Sequence, residues 1–394
     1  MSMKTSVLTA EISQREFLSH ALAFYFENNF SFALWKLPHT NTVHFAASDK
    51  PLKLKEINME ESAPGFVFAP FDPAQDKIFL PADELFVFNS GRIITSQGPF
   101  LQSHDSKKTD QKNEVRKYHV GDVQPLSTAN QSGYKELVEK SRAEVLRGTF
   151  EKIVPSRCKH ISLGGDFDAL KVFEELSALY PHALVSVFSS PISGTWVGAT
   201  PEMLAGITRD QHFHTAAVAG TQPFTDGTDI RSVSWTQKDI EEQALVERYI
   251  ISCFKKIRLR EYDEHGPKTS IAGNVIHLKT DFEVDMVATN FPQLGTTMLK
   301  LLHPTSAVCG MPLQASLEFI RKHEGYERQY YSGFLGPLNI HQESHLYVNI
   351  RCMQLFDQQA LLYAGAGVLA DSDPDKEWIE TEMKMNTLGR IIAK

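Results

Sequence analysis

Two pairs of acidic residues in this sequence have the spacing that places both carboxylates on one face of a helix. One pair is Glu377 and Glu380, and the other is Asp239 and Glu242. Residues three or four positions apart share a helix face, so Lys384 is expected beside the first pair. Two helices that each present such a pair can hold a hard divalent cation such as Mg²⁺ between them. A cation with open coordination positions would in turn bind an anionic ligand.

A solvated helix surface is the more common explanation for any one acidic pair, and an exposed salt bridge between residues four apart stabilises a helix by only about 0.3–0.5 kcal/mol. The segment before the C-terminal pair favours a ligand site. AGAG (residues 364–367) can bring backbone N–H groups close to a ligand. Ser372 or Asp373 can cap the next helix, and Pro374 suits its first position. We therefore predict an anion site beside a cation site.

Lys152 lies in the apolar segment TFEKIVPSR and is a candidate general base. Lysines in strands usually lie at a sheet edge or extend to solvent, and this remains the alternative. A base must be neutral, and a lysine with a pKa near 10.4 is deprotonated in only about one molecule in 2,500 at pH 7. Burial would have to lower the pKa by roughly 2–3 units.

Glu202 and Arg351 are charged residues in segments that otherwise look like buried strands. Glu202 follows Pro201 and has apolar neighbours, so its carboxyl could stay protonated near neutral pH and act as a general acid. Arg351, in YVNIRCMQL, needs an anionic partner if it is buried. That partner is either a structural acidic residue or a substrate carboxylate held by two hydrogen bonds.

Strand-like segments alternate with long helical segments around these residues. Helical patterns cover EISQREFLSHALAFYFENN, the segment YKELVEKSRAEVLRG ending at Gly148, a segment from Lys238 to about Arg258, and the C-terminus. A hairpin is predicted around residues 39–41, and ALVSVFSS, GTWVGA, EMLAGIT and FHTAAVAGT are typical of an antiparallel meander. The predicted fold class is α+β, with antiparallel β-sheets packed together and helices on the outside in a single large domain.

The polar stretch from Leu101 to Lys117 is predicted to be a mobile surface loop or linker. It separates two parts of the predicted unit. Residues 1–120 form an N-terminal part with a helix and strands, and residues 121–394 form the catalytic region that contains every candidate residue named above.

The composition is that of an ordinary globular protein. The 394 residues are 42% hydrophobic and 22% charged, and the net charge of −8 argues against a nucleic-acid surface. The four cysteines are scattered without metal-ligand spacing, so we expect reduced thiols. No apolar run is long enough for a membrane span or a signal peptide, so we expect a soluble, cytoplasmic protein without a membrane partner.

Nine short motifs occur in an order that resembles the chorismate-binding enzymes of the anthranilate synthase component I type. They are KIVPSR, GATPE, AGT, KDxxEQ, HPTSAVCG, YSGFLG, IRC, AGAG and ExxExxxK. Each motif alone is unspecific, but all nine in order are highly specific. The resemblance covers roughly Tyr134 to Lys394 and implies an anthranilate synthase component I-like fold.

Three positions indicate a subgroup within this family. Members that transfer an amino group have glutamine where this chain has Lys152, and a threonine-rich run where it has HPTSAVCG. Aminodeoxychorismate synthases have a nucleophilic lysine where this chain has Ala219. The chain therefore resembles the isochorismate synthases, with salicylate synthases, which go on to eliminate pyruvate, as the alternative.

The resemblance implies a role for each candidate. Mg²⁺ would be held by Glu242 and Glu380. Asp239 and Glu377 would support the ion through bound water or by contacting its two ligands. Lys152 would activate water for attack at carbon 2 of chorismate, and Glu202 would protonate the hydroxyl that leaves carbon 4. The residues expected to contact the substrate are Gly220, Thr221, Ala307, Val308, Arg351, Gly365 and Lys384.

A lysine base and a glutamic acid would neutralise each other as an ion pair, so the site must keep Lys152 and Glu202 apart or let them titrate together. We expect a monomer that needs no glutamine amidotransferase subunit. Outside the family, a metal-dependent phosphohydrolase could use the same acidic pairs. A metabolite sensor without catalysis is the other class left open.

Overall fold

Seven helices and twenty strands alternate along the part of the chain that the computed structural model describes, which is residues 13–97, 118–121, 130–224, 229–272 and 275–392. The predicted loop at 101–117 and the N-terminal segment examined for a signal peptide lie outside the described residues. No helix within the described ranges is both long and apolar enough to span a lipid bilayer.

Local capping signals explain where several helices begin. The helices are α1 (Gln14–Glu27), α2 (Gln131–Leu146), α3 (Ala169–Leu179), α4 (Gln237–Lys256), α5 (Leu294–Leu302), α6 (Leu313–His323) and α7 (Pro374–Ile392). Ser13, Asn130, Asp168 and Thr236 each accept a hydrogen bond from a backbone N–H in the first turn. Gly148 follows α2 with φ +79°, as predicted for the residue after a helix end.

The strands form two large antiparallel sheets and one short pair. In chain order they are β1 (Ser31–Lys36), β2 (Thr42–Ser48), β3 (Leu52–Leu54), β4 (Gly65–Ala69), β5 (Lys77–Pro81), β6 (Glu84–Asn89), β7 (Arg92–Gln97), β8 (Lys152–Ile153), β9 (Ser156–Ser162), β10 (Leu184–Ser190), β11 (Gly194–Thr200), β12 (Met203–Ile207), β13 (His212–Pro223), β14 (Asp263–Ala272), β15 (Val275–Asp285), β16 (Gly310–Met311), β17 (Phe334–Leu338), β18 (Ser344–Val348), β19 (Cys352–Leu355) and β20 (Gln359–Gly365). The first sheet has the order β7-β6-β2-β1-β10-β11-β19-β20-β9. The second has the order β14-β15-β13-β12-β18-β17-β4-β5-β3, and β16 pairs with β8.

The two large sheets face each other across an aromatic core. Trp35 and Phe188 of the first sheet pack against Phe66 of the second, and Trp196 packs against Phe68. Helices α1, α3 and α7 cover the outer face of the first sheet, and α4 and α5 cover the second. Burying each large apolar side chain contributes about 2–3 kcal/mol. The α+β fold class, with packed antiparallel sheets and outer helices, is confirmed.

The predicted four-strand meander is wrong, because its strands are divided between the sheets. Strands β10 and β11 pair in the first sheet, whereas β12 and β13 pair in the second. The chain crosses over at Pro201 and Glu202. Proline has no N–H for a sheet ladder, so it suits a strand end and not a strand interior. The crossing puts Glu202 between the sheets.

A second crossing corrects the predicted position of Arg351. This residue was predicted inside a strand, but it lies between β18 of the second sheet and β19 of the first, with φ +50°. A left-handed backbone at a residue other than glycine costs free energy and persists where the surrounding structure imposes it. Here the chain turns sharply from one sheet to the other, and the turn directs the Arg351 side chain.

Candidate active site

The two crossings lie side by side and form one end of a cleft. The Val348 N–H donates to the Glu202 carbonyl at 2.9 Å, and the Ala199 N–H donates to the Arg351 carbonyl at 3.1 Å. The cleft combines apolar walls with a few polar and charged side chains, as small-molecule sites do. Most of the predicted site residues line it: Glu202, Gly220, Thr221, Glu242, Ala307, Val308, Arg351, Gly365, Glu380 and Lys384.

Lys152 is fully buried directly behind this lining. Its Nζ lies 2.8 Å from Glu242 Oε1, and its side chain has 0% exposure. The AGAG segment packs against the pair so closely that a Cβ on Gly367 would lie 2.3 Å from Glu242 Oε1 and 3.0 Å from Lys152 Cε. Only glycine fits at position 367 with these side chains in place, which gives one physical reason for the glycines of this motif.

The other acids of the cluster also hold lysines. Lys384 Nζ lies 2.6 Å from Glu380 Oε1 and donates to the Gly365 carbonyl at 2.9 Å. Lys238 Nζ lies 2.5 Å from Glu377 Oε1. Burial alone would raise the pKa of Glu242, but the cations of Lys152 and Lys238 outweigh burial, so the pKa of Glu242 is lowered.

Glu377 lies under the cleft and not in its lining. Burial raises the pKa of Glu377 to about 7, although the nearby Lys238 opposes this. Its Oε2 is buried and has no hydrogen-bond partner in the described structure. This unsatisfied oxygen belongs to the same helix face as Glu380 and fits a position behind a bound cation.

Asp239 has a local structural role that the sequence analysis did not assign. Its Oδ2 accepts hydrogen bonds from Thr236 N at 3.1 Å and from Thr236 Oγ1 at 2.6 Å, and these bonds form a capping box at the start of α4. The side chain does not line the cleft. It does pack under the turn at Gly220, because a Cβ on Gly220 would lie 3.1 Å from Asp239 Cβ.

Glu202 has the surroundings expected of a neutral carboxyl. It is 5% exposed, and burial raises its pKa to about 7, although the charge of Lys152 partly offsets this. Thr305 Oγ1 donates to Glu202 Oε1 at 3.4 Å. The Lys152 ammonium pairs with Glu242 and not with Glu202, so the structure meets the requirement that the candidate base and acid stay apart.

We expect Glu202→Gln to remove a pH-dependent loss of stability. The folded-state pKa of about 7 is above the ordinary value of 4.5, so the stability that this group contributes is present below pH 4.5 and is lost as the pH rises through 7. The loss is on the order of 3 kcal/mol. Urea unfolding at pH 5 and pH 8.5 should show a smaller decline for Glu202→Gln than for the wild type. Equal declines in both proteins would show that the carboxyl ionises normally.

Arg351 is buried, and none of the acids that the structure describes forms an ion pair with it. No carboxylate of the described residues lies within ion-pair distance of it, and burial lowers its pKa. Its Nη1 donates to Thr387 Oγ1 at 3.4 Å, and its Nη2 lies 3.3 Å from His277 Nε2. A structural acidic partner was the alternative to substrate binding, and the described residues do not supply one. The cation is therefore available to an anionic ligand.

His277 is a cleft residue that the sequence analysis missed. Its Nδ1 lies 2.6 Å from the Gly220 carbonyl oxygen, which can only accept, so Nδ1 carries the proton and Nε2 accepts from Arg351. Burial lowers the pKa of His277 to about 3, which keeps this tautomer neutral. A single histidine in the strand segment VIHLKT gives no functional signal by itself.

The strand register explains why His277 meets the predicted AGT turn. Strands β13 and β15 pair regularly up to Ala219 and Leu278, and their register shifts before Gln222 pairs with Ile276. Gly220 has φ +67° at this irregularity, which glycine adopts without strain. The bulge turns Gly220 and Thr221 out of the ladder and into the cleft wall.

The carboxylates at the cleft are candidate ligands for a hard divalent cation. Glu242 and Glu380 are the members of the two acidic pairs that reach the cleft, and no three His, Cys, Asp or Glu side chains of the described residues converge on one cation position. Mg²⁺ is usually bound by one or two carboxylates and keeps several waters or substrate oxygens. The donor set therefore suits a hard divalent cation whose remaining ligands come from water and an anionic substrate.

Comparison with known proteins identifies the family of this chain. The family described as chorismate binding enzyme matches residues 90–393. The chain is 26% identical to isochorismate synthase EntC of Escherichia coli (strain K12) over 332 residues, which cover 82% of this chain and 80% of that protein.

Solved structures show the same fold. MenF, the menaquinone-specific isochorismate synthase from Escherichia coli, superposes with a TM-score of 0.71 at 20% identity, covering 92% of this chain and 88% of that chain. Anthranilate synthase component I from Streptococcus pneumoniae superposes with a TM-score of 0.65 at 16% identity, covering 98% and 95%. Since the family match spans most of the sequence and includes every residue of the cleft, the chain belongs to the chorismate-binding enzymes.

Proposed function

We propose that this protein is an isochorismate synthase that interconverts chorismate and isochorismate with Mg²⁺ as its cofactor. The similar protein EntC carries this activity in its name, and the resemblance implies that Lys152 stands where the amino-transferring members have glutamine. The observation that supports the proposal most is the arrangement of two buried groups at one cleft. Lys152 pairs with Glu242, while Glu202 has a pKa raised to about 7 by burial.

Substrate binding is proposed to depend on charge. Chorismate carries two carboxylates, and Arg351 has a buried cation without an acidic partner among the described residues. We assign the enolpyruvyl carboxylate to Arg351, with backbone donors at Gly220, Thr221 and Gly365, and with Lys384 close to Gly365. Ala307 and Val308 form an apolar wall for the ring.

The ring carboxylate is assigned to the acidic side of the cleft. Glu242 and Glu380 would hold Mg²⁺ there, with Glu377 behind them and Asp239 near the start of α4. The ion would supply positive charge that neutralises the ring carboxylate against these acids and fixes its orientation. The lysines now paired with the acids must then take other partners. Lys152 in particular must leave Glu242 and give up its proton before it can act as a base.

The proposed chemistry balances without a further reactant. A water oxygen bonds to carbon 2 of the ring and gives a proton to the neutral amine of Lys152. The ring double bonds shift, the bond from carbon 4 to its hydroxyl breaks, and Glu202 donates the proton that lets this oxygen leave as water. One water enters and one leaves, so the product is an isomer. The proton on Lys152 must return to Glu202 through solvent before the next turnover.

Product identification tests this proposal. We expect protein stripped with a chelator to be inactive, and added Mg²⁺ should restore conversion of chorismate to isochorismate without pyruvate and without a need for ammonia or glutamine. Isochorismate supplied as substrate should give chorismate, because the reaction is reversible. Liquid chromatography with mass detection separates the two isomers and salicylate.

Other outcomes of this assay identify the alternatives. Salicylate and pyruvate as the main early products would assign the protein to the salicylate synthases. Chorismate binding without turnover would favour a metabolite sensor. Phosphate release from a panel of phosphate esters, with no change in chorismate, would favour the phosphohydrolase class.

A further inference from the structure

A buried ion pair lies behind the cleft wall and is not part of the proposed chemistry. Arg328 and Glu324 are four residues apart and follow the end of α6, and their side chains are 2% and 1% exposed. Arg328 Nε donates to Glu324 Oε2 at 2.8 Å, and Arg328 Nη2 donates to Glu324 Oε1. The guanidinium also lies over the ring of Phe71, 4.3 Å from its centroid.

The remaining hydrogen bonds of Arg328 go to the backbone of the cleft wall. Its Nη1 donates to the Val308 carbonyl at 2.8 Å, and its Nη2 donates to the Val154 carbonyl at 2.7 Å. Val154 and Val308 both line the cleft, whereas Arg328 does not. The two carbonyl oxygens are therefore held on the side of the wall away from the cleft.

Glu324 extends the same connection to the strand after Lys152. Its Oε1 accepts from Ser156 N at 2.7 Å and from Ser156 Oγ at 3.0 Å. Lys152 and Val154 are two residues apart, and β8 pairs with β16 next to the 307–308 loop. One ion pair thus joins the segment that carries the candidate base to the loop that forms the apolar wall.

Stability alone is a weak explanation for such a pair, because well-packed apolar residues often stabilise an interior equally well. The contacts favour a different role. The planar guanidinium of Arg328 makes four hydrogen bonds at once, two to the carboxylate and two to carbonyls, whereas the ammonium of lysine has only three donors. A carbonyl oxygen that turned into the cleft would bring negative partial charge toward a dicarboxylate ligand.

We propose that Arg328 is a positioning residue for the catalytic wall. It holds the Val154 and Val308 carbonyls away from the cleft, and so fixes the backbone that presents Lys152 and the Ala307–Val308 wall to the substrate. Glu324 supplies the counter-charge that Arg328 needs in the protein interior. This inference rests on the proposed function for its link to Lys152, but the carbonyl contacts concern binding of any dicarboxylate in the cleft.

Two variants separate a positioning role from a purely structural one. We expect Arg328→Lys to lose more activity than Glu324→Gln but less thermal stability. Arg328→Lys keeps a cation beside Glu324 but cannot reach both carbonyls, so we expect kcat/KM for chorismate to fall by about 100-fold, the scale that small misplacements cause. Glu324→Gln leaves the guanidinium bonded to both carbonyls but removes its counter-charge. We expect this variant to lower Tm more than Arg328→Lys and to reduce kcat/KM by less than about 10-fold.

A distant buried bond supplies the matched control. Tyr25 Oη donates to Glu84 at 2.5 Å between α1 and β6, and neither residue lines the cleft. We expect Tyr25→Phe to lower Tm while leaving kcat/KM within about twofold of the wild type at a temperature where all variants are folded. If activity instead falls in proportion to Tm across the three variants, Arg328 has only a structural role and the inference is overturned.

Chorismate binding to protein without metal keeps this test independent of the catalytic proposal. Calorimetry should show weaker binding to Arg328→Lys than to the wild type, and near wild-type binding to Glu324→Gln and Tyr25→Phe. If the wild type binds chorismate but makes no isochorismate, the proposed function fails while this ranking still tests the positioning. Equal binding by Arg328→Lys and the wild type would contradict the inference even if isochorismate is formed.

Discussion

Lys152→Ala is expected to lower kcat for isochorismate formation by about 10²–10⁴-fold while chorismate binding stays within a few-fold of the wild type. A positioned general base typically accounts for a factor of this size. Lys152 lies behind the cleft lining, so its removal leaves Arg351 and the Gly220–Thr221 turn in place. Single-turnover assays measure the chemical step, and calorimetry with chorismate measures binding.

A second lysine of the same cluster is the matched control for this prediction. Lys238 also pairs with a buried glutamate, since its Nζ lies 2.5 Å from Glu377 Oε1, and like Lys152 it lies outside the cleft lining. Lys238→Met removes a comparable cation and no proposed base, so we expect kcat within about tenfold of the wild type. If Lys152→Ala retained a near wild-type rate, or if both variants lost equal activity, Lys152 would serve only as a counter-charge for Glu242.

Much of the candidate site could be predicted because several of its residues occur in short sequence patterns that indicate local structure. The spacing of Glu377 and Glu380 predicts a shared helix face, and Pro374 does begin α7, with Asp373 Oδ1 accepting from the Asp375 N–H at 2.8 Å. The motif order then brought separate segments together without any structural information. The resemblance assigned Lys152 and Glu242 to one site but did not predict the ion pair between them, since hydrophobic patterns do not report which strand lies beside which helix.

The features that were missed depend on how distant segments pack. Arg351 looks like a strand residue because its neighbours are apolar, and nothing in that pattern indicates a turn with φ +50° between two sheets. His277 becomes part of the site only through the shifted register between β13 and β15. The meander failed for the same reason, because two hairpins in different sheets have the same alternation as four strands in one sheet.

Asp239 is different, because the sequence did contain the signal for its local role. Thr236 and Asp239 have the spacing of a capping box, with a hydroxyl three residues before an acid at a helix start. Such a residue has one carboxylate oxygen bonded to the backbone of its own helix. The two acid-x-x-acid pairs suggest four carboxylates at the cleft. Of these four, the structure places Glu242 and Glu380 in the cleft lining.

Glu242→Gln and Glu380→Gln are each expected to raise the Mg²⁺ concentration needed for half-maximal activity by about 10–100-fold or more. The amide of glutamine keeps the size of the side chain but supplies one neutral oxygen ligand in place of a charged carboxylate, and hard cations bind charged oxygens more tightly. Calorimetric titration of the protein with Mg²⁺ alone gives a readout that does not depend on turnover. It should show the same loss of affinity in both variants.

Glu382 provides the control on the same helix. It pairs with Lys159 at 2.8 Å and with Arg157, and it does not line the cleft. Glu382→Gln removes a carboxylate of equal charge from α7, so an effect of net charge alone would weaken Mg²⁺ binding in this variant as well. We expect its titration to match the wild type. If Glu242→Gln and Glu380→Gln also gave wild-type titrations, both acids would be ordinary partners of Lys152 and Lys384, and the cation would have to bind elsewhere or not at all.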